Sequence, residues 1–174
     1  MSAEELKSFI RDVPDFPKAG IIFKDITPLL RDAVALEKTV RLLAEPFHGE
    51  GITSVAAIES RGFIFGSCVA RILNCGFVPI RKPGKLPWTK RSHEYELEYG
   101  KDVLEIHNDA VDSSDRVLIV DDVLATGGTM AAAAALVADL GATVAGIATV
   151  MELAFLDGRR KLASDARFHT LLVY

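Results

Sequence analysis

The stretch RVLIVDDVLATGGT, residues 116–129, constrains the fold of this chain more than any other. Its apolar run, Val117 to Val120, has no polar alternation, as expected of a strand covered on both faces in a parallel sheet. Two adjacent aspartates end the run. Like charges do not close a core strand unless something outside the core uses them. A turn with two glycines and two threonines follows, and then TMAAAAALVADLG, a strong helix by propensity that Gly141 closes. The order is therefore strand, acids, glycine turn, helix.

The same rhythm recurs along the chain. SVAAIE reads as a buried strand ending at Glu59, with a helix through GFIFGSCVARIL and a strand at GFVPIRK behind it. TVAGIATVM and FHTLLVY are two further strands. Strands alternating with helices predict an α/β fold, a mostly parallel twisted sheet flanked by helices. At the N-terminus, AEELKSFIRDV spaces Leu6, Phe9, Ile10 and Val13 as an amphipathic helix, which Pro14 and Pro17 stop. DFPKAGIIFKDITPLL is turn-rich, and Ala33 to Phe47 has helical spacing. KPGKLPWTKRSHE has no periodicity and reads as a long mobile loop. YELEYG and DVLEIH read as strands of a hairpin meeting at Tyr99-Gly100. The 174 residues suit a single domain spanning 1–174, with residues 1–30 as a small N-terminal hood and 82–94 as a mobile active-site loop.

Charge narrows the class. A formal net charge of -4 argues against nucleic acid or an anionic membrane surface as partner. No apolar run is long enough to span a bilayer, and MSAEELKSFIRDV lacks the basic start and apolar stretch of a signal peptide. Cys68 and Cys75 are too few for a disulfide framework or a zinc site and read as reduced core thiols. The expectation is a soluble cytoplasmic protein.

In open α/β sheets ligands bind beyond the carboxyl ends of the strands, and the chemically suggestive residues fall there. Asp121 and Asp122 can accept hydrogen bonds from vicinal hydroxyls, as on a ribose ring. In Ala125, Thr126, Gly127, Gly128 and Thr129, bare glycines let backbone N–H groups turn toward an anion, and the helix start behind them favours negative charge. One end suits a sugar diol and the other a phosphate; a ribose 5-phosphate fits both. The loop has neither the GK[ST] of ATPases nor a GxGxxG pattern. ESRGF places Arg61 at a second helix start, another anion site. Arg81, Lys82 and Lys85 form a basic group that either stabilises a departing polyanion or is simply solvated.

VLIVDDVLATGGT resembles the signature of the type I phosphoribosyltransferases. DFPKAGIIFKDITPLL, ESRGFIFG, IRKPGKLP, YELEYGKDVLEIH and VMELAFLDGRRKL, in that order, resemble the adenine-specific branch over nearly the whole chain. The resemblance implies the type I phosphoribosyltransferase fold. It also implies a purine-salvage reaction: adenine plus phosphoribosyl pyrophosphate gives AMP plus pyrophosphate, with magnesium (Mg2+) held mainly by the substrate rather than by a protein metal site. It assigns Asp121 and Asp122 to the ribose hydroxyls, Ala125 to Thr129 to the 5-phosphate, and Arg61, Arg81 and Lys82 to the pyrophosphate side. Lys85 would reach the neighbouring subunit's site in a homodimer, and Glu98 would manage the proton on purine N7. Tyr99 would lie near the substrates, although packing at a turn explains it equally. Phe23 would stack on the base while the backbone of Ile22 and Lys24 pairs with its edge. Leu153 would cover the other face or be an ordinary core leucine. Rival readings are a phosphoribosyltransferase for another base, xanthine or hypoxanthine, and a non-catalytic regulator that senses phosphoribosyl pyrophosphate. The tip Trp88 to His93 departs from the family's acidic or small-residue tips.

Overall fold

Apolar strands and helix-forming stretches alternate along the chain, and they assemble as one parallel sheet between helices. The structure, a computed structural model, describes residues 2–96, 100–164 and 166–174. A 3-10 turn over Glu4–Phe9 leads into β1 (Arg11–Pro14), which pairs antiparallel with β2 (Ile22–Asp25). The short α1 (Thr27–Arg31) precedes α2 (Ala33–Ala44). Asp32 caps α2, its carboxylate accepting from the N–H groups of Val34 and Ala35 at 3.0 and 2.8 Å. Then come β3 (Ser54–Ile58), α3 (Arg61–Leu73) and β4 (Gly76–Ile80). β5 (Lys90–Glu96) and β6 (Lys101–His107) form a separate antiparallel arm. The chain returns to the sheet as β7 (Arg116–Leu124), α4 (Gly128–Asp139), β8 (Thr143–Glu152) and β9 (Phe168–Val173).

The central sheet has the order β4-β3-β7-β8-β9, with every neighbouring pair parallel. Alternation along β7 divides the core. Leu118 and Val120 join Val55, Phe65, Val69, Leu43 and Phe47 on the α2/α3 face. Val117 and Ile119 join Ile58, Met130, Leu136 and Val137 on the α4 face, where Tyr95, Leu104 and Ile106 of the arm are added. Because β3 leads outward to β4 and the chain then comes back on the other side of β3, the strand order reverses between β3 and β7. That reversal leaves a crevice beyond their carboxyl ends. Among the described residues no helix is long and apolar enough to cross a membrane.

Four local expectations are corrected. The N-terminal helix stops at Phe9, and Arg11 to Pro14 form a strand, because pairing with Ile22–Asp25 supplies backbone partners that an isolated short helix lacks. The turn-rich segment accordingly contains a strand and a short helix. The loop read over 82–94 is strand from Lys90 onward, paired residue by residue from Lys90↔His107 to Glu96↔Lys101. Cys68 is exposed on α3 and is not a core thiol, while Cys75 is half-buried and packs against the core edge.

Candidate active site

The aspartates do not end their strand. β3 pairs with β7 only as far as Val120, yet β7 runs on to Leu124 against β8. Asp121 and Asp122 therefore lie on the part of β7 that has lost its β3 neighbour. The space beyond the end of β3 is a cavity of about 330 Å³ lined by Ile58 to Arg61, Lys82, Asp121 to Gly127, Thr129 and Met130. The structure thus brings Arg61, Lys82, Asp121, Asp122, Ala125, Thr126, Gly127 and Thr129 to one crevice.

Asp122 is 3% exposed. The Arg61 Nε lies 3.0 Å from its Oδ2, but no N–H is aimed at that oxygen, which has no hydrogen-bond partner among the described residues. The guanidinium offsets part of the cost of burying this carboxylate, whose oxygen still has hydrogen-bonding capacity for an incoming hydroxyl donor. Asp121 Oδ1 accepts from the N–H of Asp122 at 2.8 Å. Burial first, and then the neighbouring Asp122 charge, push the Asp121 carboxyl well above its ordinary range. Burial also raises Asp122, against the opposing pull of Arg61.

The glycine turn is built for close approach. Gly127 sits at φ +79, a left-handed conformation, and starts α4 with no side-chain cap. The first intrahelical bond runs from Ala131 N–H to Gly127 O at 2.9 Å, which leaves the N–H groups of Gly128, Thr129 and Met130 without helical partners. From behind, the turn rests on Gly158: a Cβ at Gly127 would strike the Gly158 carbonyl, and a Cβ at Gly158 would strike the Ala125 carbonyl.

The basic group divides. Arg81 and Lys85 are held by Glu59, at 2.8 Å to Oε2 and 2.6 Å to Oε1, and do not line the cavity. Burial pushes the Glu59 carboxyl up, but hydrogen bonds from Lys85, Arg81 and the Lys82 backbone outweigh it and hold the group below its usual range. Lys82 does line the cavity, and its ammonium pairs with Asp102. Of the base-site candidates, Ile22 is exposed, while Phe23 and Leu153 are half-buried. The Phe23 ring meets Phe16 edge-on at 5.2 Å, and the Arg61 guanidinium lies 5.1 Å from its centroid, so Arg61 links this ring to the acid pair. Lys24 pairs with Asp12 at 2.7 Å and lies 4.1 Å from the Tyr174 ring centroid. Ile22, Phe23, Lys24 and Leu153 lie outside the cavity lining. Glu98 and Tyr99 lie outside the described residues.

Sequence reasoning missed Tyr95, Asp102, Glu105 and Gly158. Glu105, 5% exposed, takes Lys90 at 2.9 Å and the Gly84 N–H at 3.1 Å, while its backbone bridges Arg81. Acid–base pairs across an arm leave no local pattern, and nothing near Gly158 in sequence reveals that it faces Gly127.

A buried and a half-buried acid, bare helix-start amides and a guanidinium at the reversal of a parallel sheet define the class. The chain matches the phosphoribosyl transferase domain family over residues 29–170, and it is an enzyme of that pentosyl-transferring class. It is 55% identical over 171 residues to the adenine phosphoribosyltransferase of Methylococcus capsulatus, covering 98% of this chain and 99% of that one. The crystal structure of the adenine phosphoribosyltransferase of Thermoanaerobacter pseudethanolicus superposes with a TM-score of 0.95 at 53% identity, covering 99% and 100% of the two chains. That of Saccharomyces cerevisiae, complexed with an imino-altritol bisphosphate and adenine, gives a TM-score of 0.91 at 43% identity over 97% of each chain. This chain belongs to the adenine phosphoribosyltransferase family, with the α/β type I fold.

Proposed function

We propose that this enzyme transfers the 5-phosphoribosyl group of phosphoribosyl pyrophosphate to adenine, giving AMP and pyrophosphate, a purine-salvage reaction. One observation carries the site assignment: the half-buried Asp121 and the buried Asp122, the latter ion-paired with Arg61, share a cavity with the bare amides that open α4. Asp121 and Asp122 hold the ribose 2- and 3-hydroxyls. Ala125 to Thr129 receive the 5-phosphate through backbone N–H groups, with Thr126 and Thr129 adding hydroxyls. Loss of pyrophosphate leaves positive charge on the anomeric carbon and ring oxygen, so the transition state is oxocarbenium-like and needs no covalent nucleophile. Arg61 and Lys82 stabilise the charge that accumulates on the departing pyrophosphate, with Arg81 behind them.

Adenine enters against Phe23, its edge read by the backbone of Ile22 and Lys24 and its far face covered by Leu153. Glu98 manages the N7 proton, and Tyr99 is placed near the substrates. Residues 1–30 act as the hood over the base, and residues 82–94 with the arm close over the sugar to exclude water. Among the described residues no cluster of three acid, histidine or cysteine side chains could hold a metal ion. A magnesium ion would therefore arrive held mainly by the substrate, where it would supply neutralisation of pyrophosphate charge.

The enzyme is read as a cytoplasmic homodimer. Phe77, 38% exposed, meets the Phe63 ring at 5.8 Å beside Arg81, and Ile64, 37% exposed, follows Phe63 on α3. Pairing there would bring Lys85, on the same side of the site, toward the partner.

The test is a base panel. With phosphoribosyl pyrophosphate and magnesium, adenine should give AMP while hypoxanthine, xanthine and orotate give no nucleotide at comparable rates. Preferential turnover of another base would overturn the base assignment, and no turnover with any base would overturn the catalytic reading.

A further inference from the structure

One hydrogen-bonded chain joins the arm to both ends of the cavity. The Thr129 hydroxyl donates to Tyr95 Oη at 3.3 Å, and Tyr95 Oη donates to Asp102 Oδ2 at 3.1 Å. The same carboxylate oxygen takes the Lys82 ammonium, which also lies 3.4 Å from Tyr95 Oη. Tyr95 and Asp102 are direct cross-strand partners on β5 and β6, so their side chains share a face. The Tyr95 ring is 8% exposed and packed with the core on the α4 face, which fixes where its hydroxyl can reach. Asp102 Oδ1 is occupied by the Val103 N–H at 2.8 Å, so Oδ2 is the oxygen left to hold Lys82.

The consequence concerns Lys82 and Thr129. In the functional reading above, on which this inference rests, both donate to substrate phosphates. Here both are engaged by one pair of arm residues, neither of which lines the cavity itself. The charge that Lys82 would offer a polyanion is neutralised by Asp102 at close range. Lys82 has its backbone N–H on Glu59 and its ammonium on Asp102 and beside Tyr95 Oη, the hydroxyl that also takes Thr129 of the phosphate turn.

We infer that Asp102 and Tyr95 are positioning residues that compete with substrate phosphates for Lys82 and Thr129, and so act as a latch between the arm and the site. Phosphates that capture the two donors release Tyr95 Oη and Asp102 Oδ2, while the arm stays seated on the core through Tyr95, Leu104 and Ile106.

The experiment is calorimetric titration of the full chain with magnesium pyrophosphate, and then with magnesium phosphoribosyl pyrophosphate, at physiological salt. Asp102→Asn keeps the shape and the Val103 contact but removes the charge. It should bind both ligands about 3- to 5-fold tighter, the scale of a partly exposed ion pair, and should lower KM for phosphoribosyl pyrophosphate without raising kcat. Asp102→Glu should restore the wild-type constants. In a Lys82→Ala background the gain from Asp102→Asn should vanish. Tyr95→Phe, which keeps the ring in its apolar setting, should shift affinity in the same direction. Unchanged or weaker binding in both Asp102→Asn and Tyr95→Phe overturns the latch, as does a gain that persists without Lys82. Failure of the wild-type protein to bind either ligand would instead remove the functional reading beneath it.

Discussion

At the scale of single residues, the acid pair places function against stability. Burial and the adjacent charge raise the Asp121 carboxyl well above the range it has in an unfolded chain. Below the unfolded range both states carry the proton and nothing is lost. As pH rises through the folded value, the native protein gives up a proton it favours keeping, and the stability associated with that proton disappears. Asp121→Asn has no such loss. Its melting temperature should match wild type near pH 4 and exceed it by about 2–4 °C at pH 7, the response of a domain this size to ~1 kcal/mol. The same variant should bind phosphoribosyl pyrophosphate at least tenfold more weakly, since an amide offers a sugar diol one acceptor oxygen where the carboxylate offers two. Thermal melts across pH 4 to 8 decide the matter: a difference that stays constant with pH would falsify the account of Asp121. For Asp122→Asn the difference should be smaller, because Arg61 at 3.0 Å offsets part of the burial cost.

At the scale of elements, the phosphate turn depends on a segment thirty residues away. The 3-10 turn Gly158–Lys161 packs its first residue against Ala125 and Gly127, and a bidentate Arg159–Glu152 pair, at 2.6 Å for both contacts, ties it to the end of β8. Gly158→Ala would push the turn off that support. The expected result is a KM for phosphoribosyl pyrophosphate raised about tenfold or more, the effect of a 1 Å misplacement on a binding geometry, with the central sheet intact by circular dichroism. Kinetics equal to wild type would show that the turn holds its shape alone. The segments that were readable from sequence and those that were not differ for a physical reason. β3, β7 and β8 are buried on both faces, so their apolar runs are unbroken and visible; α4 is alanine-rich and closed by glycine. β5 is a strand of a two-stranded arm, with only Tyr95 buried among Lys90 to Glu96, and a solvated strand of Lys, Arg, Ser, His and Glu carries no period-2 hydrophobic signal. The acids and glycines of the site were legible because they interrupt a pattern. Asp102 and Gly158 were not, because their partners are distant in sequence and neither interrupts anything.

At the scale of the whole molecule, the sheet order places loops from three separate parts of the chain around one crevice, after β3, after β4 and after β7. The outer strand β4 would leave an open edge. Pro79 lacks the N–H that strand addition needs, and the arm reaches that side through the Arg81–Glu105 bridge. What stays exposed there is a face rather than an edge: Phe77, with the Phe63 ring against it and beside Arg81, and Ile64 next to Phe63 along α3. A face of this kind favours association through side chains, and the same side carries Lys85, half-exposed with its ammonium on Glu59. The proposed homodimer therefore has a specific weak point. Ile64→Glu adds a charge at an exposed helical position, so the monomer should fold with an unchanged sheet, yet the mass in sedimentation at micromolar concentration should fall from two chains to one. If Lys85 serves the partner's site, kcat should fall with the dimer, and Lys85→Ala in the intact dimer should reproduce most of that loss. A wild-type protein that sediments as a single chain at full activity would break the link between the patch, Lys85 and catalysis, and would return Lys85 to a local ion pair on Glu59.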